Sequence, residues 1–194
     1  MFDESNELAK LEWNYTRDPD NIELASRYAK CLSSAMDNSS FIPTKKALLE
    51  LLTEVYQKHC NNEGIAVCYL SGISHIPEYV DNAANKMMEV VNRFPNSYMV
   101  KWGCAYGLSR LVSAYVHMRD LSSAEQFVKY LEKMYSCYPT NDQVGNAYAS
   151  ALFYVWNIQG FFGKRDTVAK LKKLAAQYPN NEQIVRNYKF ASGQ

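Results

Sequence analysis

Phe94-Pro95-Asn96-Ser97 recurs in this chain as Asp18-Pro19-Asp20-Asn21, Tyr138-Pro139-Thr140-Asn141 and Tyr178-Pro179-Asn180-Asn181. A fifth copy, His59-Cys60-Asn61-Asn62, keeps the frame without its proline. The anchors Pro19, Cys60, Pro95, Pro139 and Pro179 stand 41, 35, 44 and 40 residues apart. A period of roughly 20 to 50 residues marks a solenoid, in which each unit is one supersecondary element that buries its apolar face only against its neighbours.

Apolar residues recur 11 and 8 positions upstream of the anchors: Leu8, Leu49, Ala84, Val128, Val168, then Leu11, Leu52, Met87, Leu131, Leu171. A spacing of three keeps both columns on one helix face. Two positions downstream stand Asn21, Asn62, Ser97, Asn141 and Asn181. These side chains accept hydrogen bonds from the unpaired amides of a first turn, so a second helix is expected to start there. The proline ahead of the cap is expected to stop the preceding helix. Nine positions downstream lie Tyr28, Tyr69, Cys104, Tyr148 and Tyr188, and thirteen downstream Leu32, Ile73, Leu108 and Leu152. Position ten is Ala29, Ala105 and Ala149 in three copies, small enough for two helices to approach closely.

The punctuation divides the chain into about ten helices: 4–16, 22–36, 44–59, 63–74, one opened by Ile76-Pro77, 97–118, 123–135, 142–158, one following Asp166, and 181–191. Ser122 with Glu125 has the spacing of a capping box. Gln159-Gly160-Phe161-Phe162-Gly163 reads as the connection before the ninth helix. No segment alternates with a period of two, so no strand is expected.

Composition narrows the partners. The 194 residues are 47% hydrophobic, enough for a core, and 21 Lys and Arg against 20 Asp and Glu leave a formal charge of +1. No global field is available to hold nucleic acid or an anionic membrane, so neither partner is expected. Met1-Phe2-Asp3-Glu4-Ser5 is acidic where a secretory signal would be basic. The longest apolar run, Ala151 to Trp156, is far short of the ~20 residues that span a bilayer. Five cysteines, Cys31, Cys60, Cys68, Cys104 and Cys137, are odd in number and form no CxxC pair. Reduced thiols in a cytoplasm fit that usage, and Cys31, Cys68 and Cys104 fall at packing positions.

The anchor pattern resembles the tetratricopeptide repeat, a helix-turn-helix unit of ~34 residues in which a proline closes the second helix. Pro139-Thr140-Asn141 with Tyr148, Ala149 and Leu152, and Pro19-Asp20-Asn21 with Tyr28, Ala29 and Leu32, carry the resemblance. It implies an all-α, right-handed α-α superhelix of about ten antiparallel helices in a single domain. A capping helix 4–16 would precede units 20–59, 61–94, 96–138 and 140–178, with a closing helix 181–191. The chain departs from the family in unit length, in Cys60 and in Lys189, which breaks the small column. In a single copy, Pro95-Asn96-Ser97-Tyr98 with Trp102 resembles the repeat of protein prenyltransferase alpha subunits.

The resemblance further implies that the first helix of each unit lines a concave surface. Positions 7, 11 and 15 past each anchor share a stripe, because four residues make about one turn. From those stripes Lys30, Ser71, His75, Trp102, Tyr106, Arg110, Asn146, Ser150, Tyr154 and Arg186 are the candidate groove residues. Trp, Tyr and Arg dominate binding energy in interfaces. Trp102 and Tyr106 equally suit packing against the next helix. The Lys and Asn set with which some family members clamp a terminal carboxylate is not reproduced.

Lys164, Arg165, Lys170, Lys172 and Lys173 form one basic cluster, which reads as a solvated helix face, with a phosphate or acidic partner as the alternative. Gly160-Phe161-Phe162-Gly163-Lys164 lacks the spacing and the hydroxyl of a phosphate loop. His59-Cys60 are chain neighbours and badly placed as a catalytic pair. His75 and His117 have no ligand-spaced partner, so no metal and no cofactor are expected. The expected function is a non-enzymatic scaffold for a protein or peptide, with no catalytic residue. The alternatives are a regulatory or accessory subunit that self-associates or assembles with an enzyme and, more remotely, an enzyme with a site spread over several helices.

Overall fold

The structure, a computed structural model, describes residues 4–76 and 83–194. Pro77, expected to open the fifth helix, and residues 1–3 of the acidic start lie outside the described residues. The described residues form ten helices and no strand: α1 (Glu4–Arg17), α2 (Ile22–Asn38), α3 (Ile42–Lys58), α4 (Glu63–Ile73), α5 (Ala83–Arg93), α6 (Tyr98–His117), α7 (Leu121–Cys137), α8 (Asp142–Ile158), α9 (Phe161–Gln177) and α10 (Glu182–Ser192). Two compact units, Met1–Cys104 and Ala105–Gln194, divide the chain within α6.

Each unit repeats one packing scheme. In the first, α2 packs on α1, α3 and α4; in the second, α8 packs on α7, α9 and α10. A helix that touches both its sequence neighbours and the next helix but one is the local connectivity of a helical-repeat arrangement. The columns counted from the anchors form its core. Leu11, Leu52, Met87, Leu131 and Leu171 are buried, as are Leu32, Ile73, Leu108 and Leu152. Ala29, Ala105 and Ala149 are fully buried where helices meet, whereas Lys189 in the last copy is exposed.

All five anchor turns have the same construction. The amide of Asn21, Asn62, Ser97, Asn141 or Asn181 donates to the carbonyl three residues back, that of Asp18, His59, Phe94, Tyr138 or Tyr178, at 2.9–3.2 Å. The same five side chains then accept first-turn amides: Asn21 from Glu23 and Leu24, Asn62 from Ile65, Ser97 from Val100, Asn141 from Gln143 and Val144, Asn181 from Ile184. Proline occupies the second position of this four-residue turn, where its fixed φ is favoured. The Cys60 copy closes the same turn without proline, and His59 (φ −117°, ψ 39°) is bent much as Tyr138 (φ −131°, ψ 56°) and Tyr178 (φ −121°, ψ 63°) are. The turn is therefore held by its cap and its backbone bond, and proline pre-sets it.

Consecutive turns within a unit are also tied to each other. His59 Nε2–H donates to the Pro19 carbonyl at 2.9 Å, and Lys58 pairs with Asp20 at 3.0 Å. Ser97 Oγ donates to Glu63 Oε1 at 2.5 Å, joining the second turn to the third. Tyr178 OH and Gln177 Nε2 both donate to the Pro139 carbonyl, at 2.5 and 2.7 Å, joining the fourth to the fifth. Across three of the turns a tyrosine four positions before the anchor meets the tyrosine nine after it. Tyr15 and Tyr28 lie 5.3 Å apart, Tyr56 and Tyr69 4.3 Å, and Tyr135 and Tyr148 5.5 Å.

Two local expectations are corrected. The cap of α7 is Asp120, whose carboxylate accepts from the Ser123 amide at 3.1 Å and from Ser123 Oγ at 2.6 Å, so Ser122 does not cap it. The ninth helix begins at Phe161 and not after Asp166, so only Gln159 and Gly160 connect α8 to α9. Gly160 supplies no side-chain cap, which leaves no polar signal at that start.

The shared turn predicts opposite effects at adjacent positions. Asn62→Ala should lower stability by about 1 kcal/mol through loss of the cap, whereas Cys60→Pro, restoring the residue of the other four copies, should raise it by about 0.4–1 kcal/mol. Urea unfolding of both variants checks the pair. At Gly145 an added Cβ would stand 2.6 Å from Tyr178 Cε2 and 2.8 Å from Cζ. That ring is held by its bond to Pro139, so Gly145→Ala should cost about 1–3 kcal/mol by the same measurement.

Candidate functional site

The expected groove residues fall in different environments. In the first unit, exposed Lys30 lines a cleft of about 330 Å³ with Glu7, Leu11, Arg27, Cys31, Ser34 and Ala35 between α1 and α2. Ser71 is half-buried on α4, and its carbonyl accepts from Ser74 Oγ at 2.7 Å. His75 has a side chain only 2% exposed, with Nε2 2.9 Å from Asp37 Oδ1 and Nδ1 3.4 Å from Lys45 Nζ. An ammonium only donates, so Nδ1 accepts and Nε2 carries the proton given to Asp37. The ring thereby ties the ends of α2, α3 and α4 together. Trp102 is half-buried in the part of α6 that belongs to this unit.

In the second unit Tyr106 and Arg110 lie one turn apart on α6, with the guanidinium carbon 5.9 Å from the ring centre. Ser150, Tyr154 and Arg186 come together with Phe153, Gln183, Asn187 and Phe190 around a cleft of about 350 Å³ between α8 and α10. Part of the lining is aromatic: Phe153 and Phe190 meet edge-on at 5.5 Å, and Trp156, outside the lining, lies 5.9 and 6.2 Å from the two rings. The rest is polar. Asn187, 4% exposed, accepts from Gln183 Nε2 at 2.9 Å, while its own Nδ2 has no partner. Asn146, one turn before Ser150 on α8, has a buried Oδ1 without a partner. Arg186 is exposed and makes no ion pair among the described residues.

Phe153, Gln183 and Asn187 were not among the sequence candidates. Asn187 stands eight positions past its anchor, where three other copies have the small residues Cys68, Gly103 and Ala147. The first copy has Arg27 there, so a polar residue at this position does not by itself single out Asn187.

Another polar cluster is paired within the chain. Glu132 on α7 accepts from Lys170 Nζ at 2.7 Å and from Tyr148 OH at 2.9 Å. Burial alone would raise its carboxyl, but the bonds from Lys170 and Tyr148 and the lysine charge hold it below the ordinary value. Burial, with the bond to Glu132, pushes the Tyr148 phenol well up. The carboxylate is thus charged and the phenol protonated at neutral pH, a staple across α7, α8 and α9. Burial likewise raises the thiols of Cys68 and Cys104, which suppresses their thiolates. The His59 ring is committed to Pro19. No group of three or more His, Cys, Asp or Glu among the described residues is arranged to hold a metal ion, and no helix there is long and apolar enough to cross a membrane.

Comparison of the chain with protein families, with curated proteins and with solved structures found no match.

Because the folded Glu132 carboxyl takes up its proton less readily than the unfolded one, its contribution to stability is complete above pH ~4.5 and is lost as pH falls through the folded value. Glu132→Gln should therefore flatten the loss of stability as pH falls below about 4.5 relative to the parent. Urea midpoints measured across that range check it; parallel profiles would refute the assignment.

Proposed function

We propose that the chain is a non-enzymatic, tetratricopeptide-like scaffold that captures an extended segment of a partner protein, held in the cleft between α8 and α10. The observation that carries this reading is the pairing of unlike side chains in one concavity. Phe153 and Phe190, both in ring contact with Trp156, line the cleft together with the polar group Ser150, Tyr154, Gln183, Arg186 and Asn187.

Each kind suits one part of a polypeptide. Rings buried against an apolar side chain supply most of the binding energy in such contacts. A peptide unit offers one N–H and one C=O, and the exposed Gln183 and Arg186 of the cleft lining are the groups that can bond to it. Arg186 adds a preference for an acidic residue in the segment, by charge-assisted hydrogen bonding. The five free cysteines suit a reducing compartment, and a cytoplasmic protein is part of the proposal.

Selection from a displayed peptide library against the full chain tests the reading. Wild type should enrich segments that combine an aromatic or aliphatic residue with an acidic one. Tyr154→Ala/Arg186→Ala, which alters only exposed side chains, should weaken the selected peptides by about tenfold or more. Peptides that bind the double variant as well as wild type would sink the reading.

A further inference from the structure

The expectation of no membrane partner rests on the charge of the whole chain, and the local distribution differs from it. Residues 105–194 contain eleven Lys and Arg against six Asp and Glu, a net charge of +5. Five of those cations and one acid, Asp166, belong to α9. The same helix opens on Phe161 and Phe162, which are 78% and 82% exposed, the highest values among the exposed large hydrophobic residues described. Their rings meet edge to face at 5.7 Å, and neither lines the clefts described above.

Helical periodicity places these features together. At 100° per residue, Phe161, Arg165, Ala169, Lys172 and Ala176 fall on the side opposite the buried Thr167, Leu171 and Leu174. Phe162 and Lys173 flank that stripe, and all of these side chains are exposed. Lys164 and Lys170 are directed elsewhere, the first over the Trp156 ring at 4.7 Å and the second to Glu132. Aromatic residues thus stand at one end of a free face whose remaining long side chains are cationic, with Asp166 at its border. From Phe161 to Lys173 the face extends about 18 Å.

We propose that this face of α9 is a peripheral docking surface for an anionic lipid bilayer, with Phe161 and Phe162 entering the acyl boundary and Arg165, Lys172 and Lys173 lying among the phosphates. Two observations favour a bilayer over a protein. The aromatic pair, at the start of a helix, is almost fully exposed and lines neither cleft described above, so it projects from the surface and forms no wall of a groove there. A fluid lipid interface accepts such rings without shape complementarity and gains further from each adjacent cation. The order of the residues also matters: a helix entering at one end needs its apolar residues at that end and its cations behind them, as they are here.

Co-sedimentation of the full chain with vesicles tests the proposal, using phosphatidylcholine alone and phosphatidylcholine containing about 30% phosphatidylserine. The chain should bind the anionic vesicles and be released by salt, because exposed charge pairs are screened. Phe161→Ala/Phe162→Ala and Lys172→Glu/Lys173→Glu should each weaken binding by about tenfold or more, with circular dichroism unchanged. Tyr154→Ala/Arg186→Ala should leave vesicle binding intact, which separates this surface from the peptide cleft. Equal sedimentation with neutral and anionic vesicles, binding that survives loss of both phenylalanines, or capture of an acidic protein through this face without vesicle binding would each overturn the proposal.

Discussion

The interaction on which the rest of the structure depends is the acceptance of first-turn amides by the side chain two positions past each anchor. A helix start leaves amides without intrahelical partners, and a tight link between two antiparallel helices has no room for many waters to satisfy them. Asn and Ser solve this within the turn itself. The cap's own amide closes the turn backward at the same time, so one residue fixes both the end of one helix and the start of the next. Once the entry direction is set, the columns at fixed distances from the anchor have to face each other. That is why Leu52 and Ile73, or Leu131 and Leu152, are buried together.

The turns do more than reverse the chain. In the first unit the Pro19 carbonyl, and in the second the Pro139 carbonyl, accepts from the residue just ahead of the next anchor. A proline-containing turn has one fewer amide but still a full carbonyl to satisfy. His59 and Tyr178 use that carbonyl to hold one turn on the next. The donors differ chemically, and the bond is the same. This explains how repeats of unequal length keep a common packing scheme: the register is set at the turns, and additional residues are absorbed along the helices or in the other connections. Gly145 follows from the same constraint, since the Tyr178 ring needs the space that a Cβ there would take.

Much of this was legible because it is local. Asn141 announces a helix start by its own chemistry, and the leucine columns announce a face by their spacing. The misread places are those where local chemistry was ambiguous. Ser122 with Glu125 satisfies a spacing rule, yet Asp120, two residues earlier, is the stronger acceptor and takes the Ser123 amide. The start of α9 has Gly160 as its cap and two exposed phenylalanines in its first turn, so neither polar capping nor apolar periodicity marks it. In the candidate site, counting from anchors found Ser150, Tyr154 and Arg186, which share one stripe position per turn. Phe153, Gln183 and Asn187 lie off those stripes and enter the cleft only because α8 and α10 approach each other. The same counting grouped His75 with them, but a buried contact to Asp37, distant in sequence, engages its ring. No one-dimensional rule supplies that partner.

A division of labour follows from where polar groups are satisfied. At the anchor turns the carbonyls and first-turn amides described above find partners within the chain, and Tyr148 and Lys170 both bond to Glu132. The buried side-chain atoms left unpaired among the described residues, Asn146 Oδ1 and Asn187 Nδ2, lie on α8 and α10, the two helices that form the cleft. Replacing either amide by an apolar residue of similar size would remove a cost of about 1–3 kcal/mol from the free protein. Retaining both is therefore a local concession of stability, and the caps, each contributing about 1 kcal/mol, offset it elsewhere. With the register set at the turns, the exposed helix faces are free to differ. The α8–α10 cleft and the outer side of α9 belong to the same unit and use different residues.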